Sequence, residues 1–254
     1  MNFTRAITRH PSDTLASGIS TASLGPVDLA RARAQHADYV ATLAELGLQV
    51  SQLPPVNDYP DATFVEDVAL LFGDLAIVTN PGAACRNGEA ALIRPALLEH
   101  FETLSSIDPP GTLDGGDVMW VEDRVYVGLS ARTNPAGAQQ LAGYLVNVGL
   151  DLVVVKLREM LHLKTGLNYL DQGNLLVTGE LVDHPLCSDF HRIIVPPEEA
   201  YAANSLWING TVLVPAGNPQ TTSMLEARGY PIRVVDTSEF RKLDGGLSCL
   251  SLRF

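Results

Sequence analysis

The sequence predicts an α/β protein, a five-bladed α/β propeller with pseudo-five-fold symmetry around a central channel, built as a single domain over residues 1–254. Three observations predict it. An apolar strand ending in proline recurs five times, a second short strand leads into it through a tight turn, and helical stripes lie between the hairpins. On periodicity alone, the alternative is an ordinary mixed α/β sheet.

The proline-ended strands are Ala6 to Arg9 before His10-Pro11, Ala76 to Thr79 before Asn80-Pro81, and a run from Val125 to Asn134-Pro135. Ile193 to Val195 before Pro196 and Val212 to Val214 before Pro215 complete them. The leading strands open on Asp, Asn or Ser: Asp67 to Leu70, Asp117 to Trp120, Asn174 to Val177, Asn204 to Trp207 and Ser248 to Ser251. Gly73-Asp74, Glu122-Asp123, Thr178-Gly179 and Asn209-Gly210 supply hairpin turns. The last leading strand has no successor and the first proline-ended strand no predecessor, so the two chain ends are expected to complete one blade. A helix runs from Asp28 to the Gly47 stop on the stripe Leu29, Ala32, His36, Tyr39, Val40, Leu43 and Leu46. Another opens at Asn134-Pro135 and ends at Gly149, and shorter ones cover about Glu89 to His100 and Thr221 to Arg228.

Composition narrows the function. With 46% hydrophobic and 18% charged residues, the chain has the makeup of a globular protein with a sizeable core. Its 17 Lys and Arg against 29 Asp and Glu leave a formal charge of −12, which argues against nucleic acid as a partner. No apolar run reaches the roughly 20 residues of a bilayer span, and the N-terminus lacks a signal-peptide core, so a cytoplasmic location and no membrane partner are expected. The cysteines, Cys85, Cys187 and Cys249, are too scattered for a disulfide framework or a zinc motif.

Leu113-Asp114-Gly115-Gly116-Asp117 echoes Leu243-Asp244-Gly245-Gly246-Leu247-Ser248-Cys249, with Leu170-Asp171-Gln172-Gly173-Asn174 a weaker third copy. Paired glycines let the backbone turn sharply beside a ligand, so these turns would bring Asp114 and Cys249 to one end of the channel. The alternative is plain turn punctuation. Cys249 heads a short apolar strand and reads either as a nucleophile or as a small buried hydrophobe. His162, in Leu161-His162-Leu163-Lys164-Thr165-Gly166, is its best acid–base partner; His10, His36, His100, His184 and His191 read as surface residues. Glu66 and Asp67 would form an anionic pocket for a cation, and Arg86 and Arg132, at equivalent places in successive repeats, suit a carboxylate. Together these suggest a zwitterionic substrate with a cationic end.

Pro60-Asp61-Ala62-Thr63-Phe64-Val65-Glu66-Asp67, the Asp114 and Cys249 turns, Ser130-Ala131-Arg132-Thr133-Asn134 and the His162 segment, in this order, resemble the dimethylarginine dimethylaminohydrolase family over nearly the whole chain. The resemblance implies the five-fold propeller of the guanidine-modifying superfamily and a Cys-His-acid site. Cys249 would be the nucleophile, His162 the general acid and base, and Asp114 the orienting carboxylate, an Asp where some relatives carry Glu. Asp67 and Glu66 would hold the guanidinium, Arg86 and Arg132 the α-carboxylate, and Asp61 the α-amine. Phe64, Ser248 and backbone near Ile19 and Leu243 would enclose the ligand. The implied reaction turns methylated arginines into citrulline and a methylamine, with no metal and no cofactor; an arginine deiminase or citrulline hydrolase is the alternative. Relatives acting on plain arginine tend to carry an acid where this chain has Lys164, so a methylated substrate is expected. The implied partners are that small molecule and, where the chain assembles, a second copy in a homodimer.

Overall fold

The computed structural model describes residues 2–254. Among them, fifteen strands form five three-stranded sheets of one plan, a mixed α/β architecture. The central strands are Arg5–Arg9, Leu75–Val78, Arg124–Leu129, Asn174–Val177 and Thr211–Pro215. Each has an antiparallel partner: Leu252–Arg253, Ala69–Phe72, Val118–Val121, Leu167–Tyr169 and Leu206–Ile208 respectively. Each also has a parallel partner: Gln49–Leu53, Leu104–Ser106, Asp151–Lys156, His191–Ile194 and Ile232–Val235. Leu252–Arg253 against Arg5–Arg9 joins the two ends of the chain in one sheet, as their unpaired repeats require.

Local chemistry explains most boundaries. Asn209 and Gly210 take φ of +48° and +90°, the two left-handed residues of a tight hairpin turn, and Gly73 serves the same purpose at +58°. A parallel strand pair needs a crossover, and helices Leu29–Glu45, Glu89–Leu98, Pro135–Leu145 and Pro219–Glu226 provide it in four sheets. Asp28 caps the first by accepting from the Arg31 amide at 3.0 Å, and Asn134 caps the third by accepting from Gly137 at 2.8 Å. Among the described residues, no helix is long and apolar enough to cross a membrane.

The fourth sheet corrects the sequence reading. Asn174–Val177 is its central strand, the antiparallel partner is Leu167–Tyr169, and the strand carrying Ile193 is the parallel neighbour. The hairpin turn is therefore Leu170 to Gly173, and Thr178-Gly179 begins the crossover. Leu167–Tyr169 has only three residues with a buried Asn168 at its centre, too short to show a period, and this crossover contains only the one-turn pieces Gly179–Leu181 and Pro185–Asp189.

Alternation along the central strands builds the core. Ile7 packs with Ala76 and Val78, whereas its neighbour Ala6 packs with Leu213 of the fifth sheet. In the same way Ile77 joins Val125 and Val127, Tyr126 joins Leu175 and Val177, and Leu176 joins Val212 and Val214. Each apolar cluster thus fills the space between two consecutive sheets, and the cluster between fifth and first closes the series. Both faces of every central strand are buried, which is why these strands read as unbroken apolar runs. His36, expected at the surface, is 1% exposed in this core, and burial together with nearby His10 lowers its pKa to about 4.

Leu252 is 5% exposed and belongs to the two-residue strand that closes the first sheet. Leu252→Ala is expected to cost about 2–5 kcal/mol in urea unfolding, as for a core leucine; a loss within ~0.5 kcal/mol, the range of a surface substitution, would show that the joined ends carry little stability.

Candidate active site

Each antiparallel strand is entered through a short helical turn: Val65–Val68, Gly115–Asp117, Leu163–Gly166, the segment Pro197–Asn204, and Ser248–Leu250. Cys249 therefore sits in a 3-10 turn, and not at the head of a strand as the apolar run suggested, and Asp67 and Asp117 likewise sit in turns just before their strands. The sheets bring all these turns to one place, a cavity of about 40 Å³ lined by Glu66, Gly116, His162, Lys164, Asn204 and Cys249 among others.

Side-chain hydrogen bonds tie the turns into a closed circuit. Asp67 Oδ1 accepts from the Gly116 amide (3.1 Å), and Asp117 Oδ1 from the Leu163 amide (2.9 Å). Asn204 Nδ2 donates to the Lys164 carbonyl (2.9 Å), and its Oδ1 accepts from the Ser248 amide (2.9 Å). Ser248 Oγ donates to Glu66 Oε2 (2.6 Å) and returns to the first turn. Sequence reasoning missed Asn204 and Asp117 as site residues, because the only signal for either was its place at the head of a repeat.

His162 and Asp114 meet in the structure. Fully buried Asp114 lies 3.1 Å from His162 Nε2 through Oδ2 and accepts from the Gly82 amide (2.8 Å) through Oδ1. Burial alone would lower the imidazole pKa, but the Asp114 bond and the charges of Asp67 and Asp117 outweigh it and raise the pKa to about 9. Cys249 is partly buried and its Sγ accepts from the Gly246 amide at 3.3 Å. Burial first, then Glu66 and Asp67, pushes its thiol up to about 12. At neutral pH the resting pair is imidazolium and neutral thiol, and a cation beside the sulfur would favour the thiolate. The arrangement can perform nucleophilic catalysis on a cationic carbon.

The acidic pocket is less open than its sequence suggested. Glu66 Oε1 pairs with Lys164 Nζ at 2.7 Å and lies 3.4 Å from Arg253 Nη2. Asp67 Oδ2 pairs with Arg86 Nη1 at 2.5 Å; burial would raise this carboxyl, but Arg86 and His162 hold it below the ordinary range. Arg86 is the correction among the arginines. It is 5% exposed, and its three nitrogens are engaged by Asp67, Glu89 and the carbonyls of Asp61 and Phe64, so it anchors Asp67 and presents no open fork to a ligand. Arg132, half-buried, has no side-chain acceptor among the described residues and helps to hold down the pKa of Asp61, which burial raises. Asp61 itself accepts from the Ile19 amide at 3.1 Å. Phe64 stacks edge-on to Phe240 and packs so closely on Gly245 that a Cβ there would lie 2.2 Å from its ring.

The weaker third Asp-Gly echo, Leu170 to Gly173, is the hairpin turn described above and lines a different cavity. Asp67, Asp114 and His162 bring possible metal-ligand atoms within 4.8 Å of one another. A cation there would have to displace the proton on His162 and compete with Arg86 for Asp67.

The family model described as arginine deiminase matches residues 98–199. A dimethylarginine dimethylaminohydrolase of Pseudomonas aeruginosa is 44% identical over 99% of this chain and 100% of its own, and one of Streptomyces coelicolor is 37% identical over 98% and 96%. The solved structure of a cysteine-to-serine variant of the P. aeruginosa protein, complexed with citrulline, superposes with a TM-score of 0.98 over 100% of both chains at 44% identity. The chain belongs to the dimethylarginine dimethylaminohydrolase family.

Asn204 supplies two of the five links, so Asn204→Ala would leave the buried Ser248 amide without an acceptor. A loss of about 1–3 kcal/mol in urea unfolding is expected, together with a changed alkylation rate at Cys249. If neither moved, the circuit would not be what holds the Cys249 turn.

Proposed function

We propose that this protein hydrolyses Nω-methylated arginines, asymmetric dimethylarginine and monomethylarginine, to citrulline and dimethylamine or methylamine. The observation that carries the reading is Cys249 and His162 on one cavity, with Asp114 bonded to the imidazole, in a chain of this family. The five sheets are read as blades of one propeller domain around a common axis, which the sharing of apolar clusters by consecutive sheets supports. The free thiols Cys85, Cys187 and Cys249 are in keeping with a reducing, cytoplasmic setting.

Arg132 receives the substrate α-carboxylate, Asp61 the α-amine, and the charges of Glu66 and Asp67 face the guanidinium. That cation lowers the thiol pKa, and the Cys249 proton leaves for solvent. The thiolate adds to the guanidinium carbon, forming a C–S bond. His162, protonated, gives its proton to the methylated nitrogen as that C–N bond breaks, leaving a thiouronium on Cys249. The neutral imidazole then takes one proton from water as the water oxygen adds to the same carbon; as the C–S bond breaks and the citrulline carbonyl forms, the remaining hydroxyl proton passes to the departing sulfur, which restores the imidazolium and the thiol. Lys164, bonded to Glu66, puts an ammonium where a carboxylate would partner plain arginine's terminal N–H groups.

In a panel of asymmetric dimethylarginine, monomethylarginine and arginine, the methylated substrates are expected to be favoured at least about tenfold in kcat/KM. Cys249→Ser should lower citrulline formation at least about a thousandfold. The arginine deiminase match over 98–199 favours plain arginine as the second reading, and equal turnover of arginine would select it.

His162 must be protonated to expel the amine, and in the substrate complex the bound cation has already lowered the thiol pKa, so kcat should fall as pH rises through about 9. Asp114→Asn removes a bond and a charge that raise this pKa, so the falling limb should move to lower pH by about one unit or more. A limb that stays in place would take His162 out of the acid role.

A further inference from the structure

A second cavity, about 410 Å³, is an order of magnitude larger than the one beside Cys249. Glu66 and Lys164 line both, whereas Cys249 and His162 line only the smaller, so the Glu66–Lys164 ion pair is a wall between two compartments. The antiparallel strands of all five sheets contribute to the larger cavity, and its volume is that of a small-molecule site.

Its chemistry is uneven. Phe72, Trp120, Leu206 and Trp207 provide apolar and aromatic walls. At the shared wall two cations, Lys164 and Arg253, face the single carboxylate of Glu66. Arg253 Nη1 is taken by the carbonyls of Ser248 and Ser251 and the Ser251 hydroxyl, but Nη2 has only the 3.4 Å contact with Glu66. Trp207 adds a buried Nε1–H with no acceptor in the protein among the described residues. Apolar walls beside two cations that share one carboxylate, with spare N–H donors, make this end of the cavity complementary to an anion with an apolar body. Glu122 and Asp171 also line it, and a second negative group on the ligand would meet them.

We propose that this cavity is a binding site for a small monocarboxylate with an apolar or aromatic body, its carboxylate received by Arg253 and Lys164 and its body by the aromatic walls. The site is separate from the one assigned to methylarginine and does not depend on that reading, because its occupancy can be followed without turnover. Trp120 and Trp207 are the two tryptophans of the chain, and both line this cavity and not the smaller one. Their fluorescence is therefore a local reporter.

The test titrates the protein with 3-phenylpropionate while tryptophan emission is recorded, in the wild type and in Cys249→Ser. A saturable change with a dissociation constant of about 1 mM or tighter is expected, equal in the two proteins. 3-Phenylpropan-1-ol, the same body without the charge, should bind at least about tenfold more weakly, and Arg253→Gln should weaken the carboxylate by a similar factor. Leu71→Phe, which narrows the cavity from a half-buried wall position, gives a second variant should Arg253→Gln not fold. No saturable change, equal binding of the alcohol, or binding unaltered by both substitutions would overturn the proposal.

Discussion

The circuit of hydrogen bonds through Asp67, Asp117, Asn204, Ser248 and Glu66 is the constraint on which the site depends. Each sheet fixes the position of one turn, but a short turn at a strand's head has freedom of its own. Linking each turn to the next removes that freedom, and because the links close on themselves, no turn can shift without stranding a buried donor or acceptor. An unmade bond of this kind costs about 1–3 kcal/mol. Ser248, beside Cys249, belongs to two of the links, so the thiol inherits its position from the whole set.

The same turns carry charge, and its compensation sets the resting state. Asp67 is paired with Arg86, Glu66 with Lys164, and Asp114 with His162, all in a buried setting. Buried carboxylates without partners would be costly, so each has a cation whose own pKa rises or whose geometry is fixed by the pairing. The imidazole is thereby charged at neutral pH while the thiol on the same cavity stays protonated. Such a site is poised to respond to an incoming cation, because a positive group is what lowers the thiol pKa against the local carboxylates.

The core makes this precision possible. Since alternate residues of each central strand serve two different apolar clusters, every sheet is locked to both of its neighbours, and the chain termini are drawn into the same scheme by Leu252 and Ile7. Stability is spread over five similar contacts and not concentrated at one. A turn at the head of any strand is therefore carried on a rigid frame.

The α/β class, four of the five sheets, the meeting of the chain ends and the capped helices at Asp28 and Asn134 were determined by the sequence itself. Apolar alternation, turn residues and caps are local, and neighbouring residues are enough to express them. The Asp114 and Cys249 turns were legible as echoing Asp-Gly motifs, and His162 as a polar residue breaking an apolar segment. The fourth sheet was not, because a three-residue strand around Asn168 is too short to carry a period. Nor were the pairing of Arg86 with Asp67 and Glu89, the bond from Lys164 to Glu66, or the bridging role of Asn204. Apart from Arg86 and Glu89, three residues apart, those partners lie on different turns, up to 98 residues apart in the Lys164–Glu66 pair, and only the packing of the sheets decides which buried charge meets which.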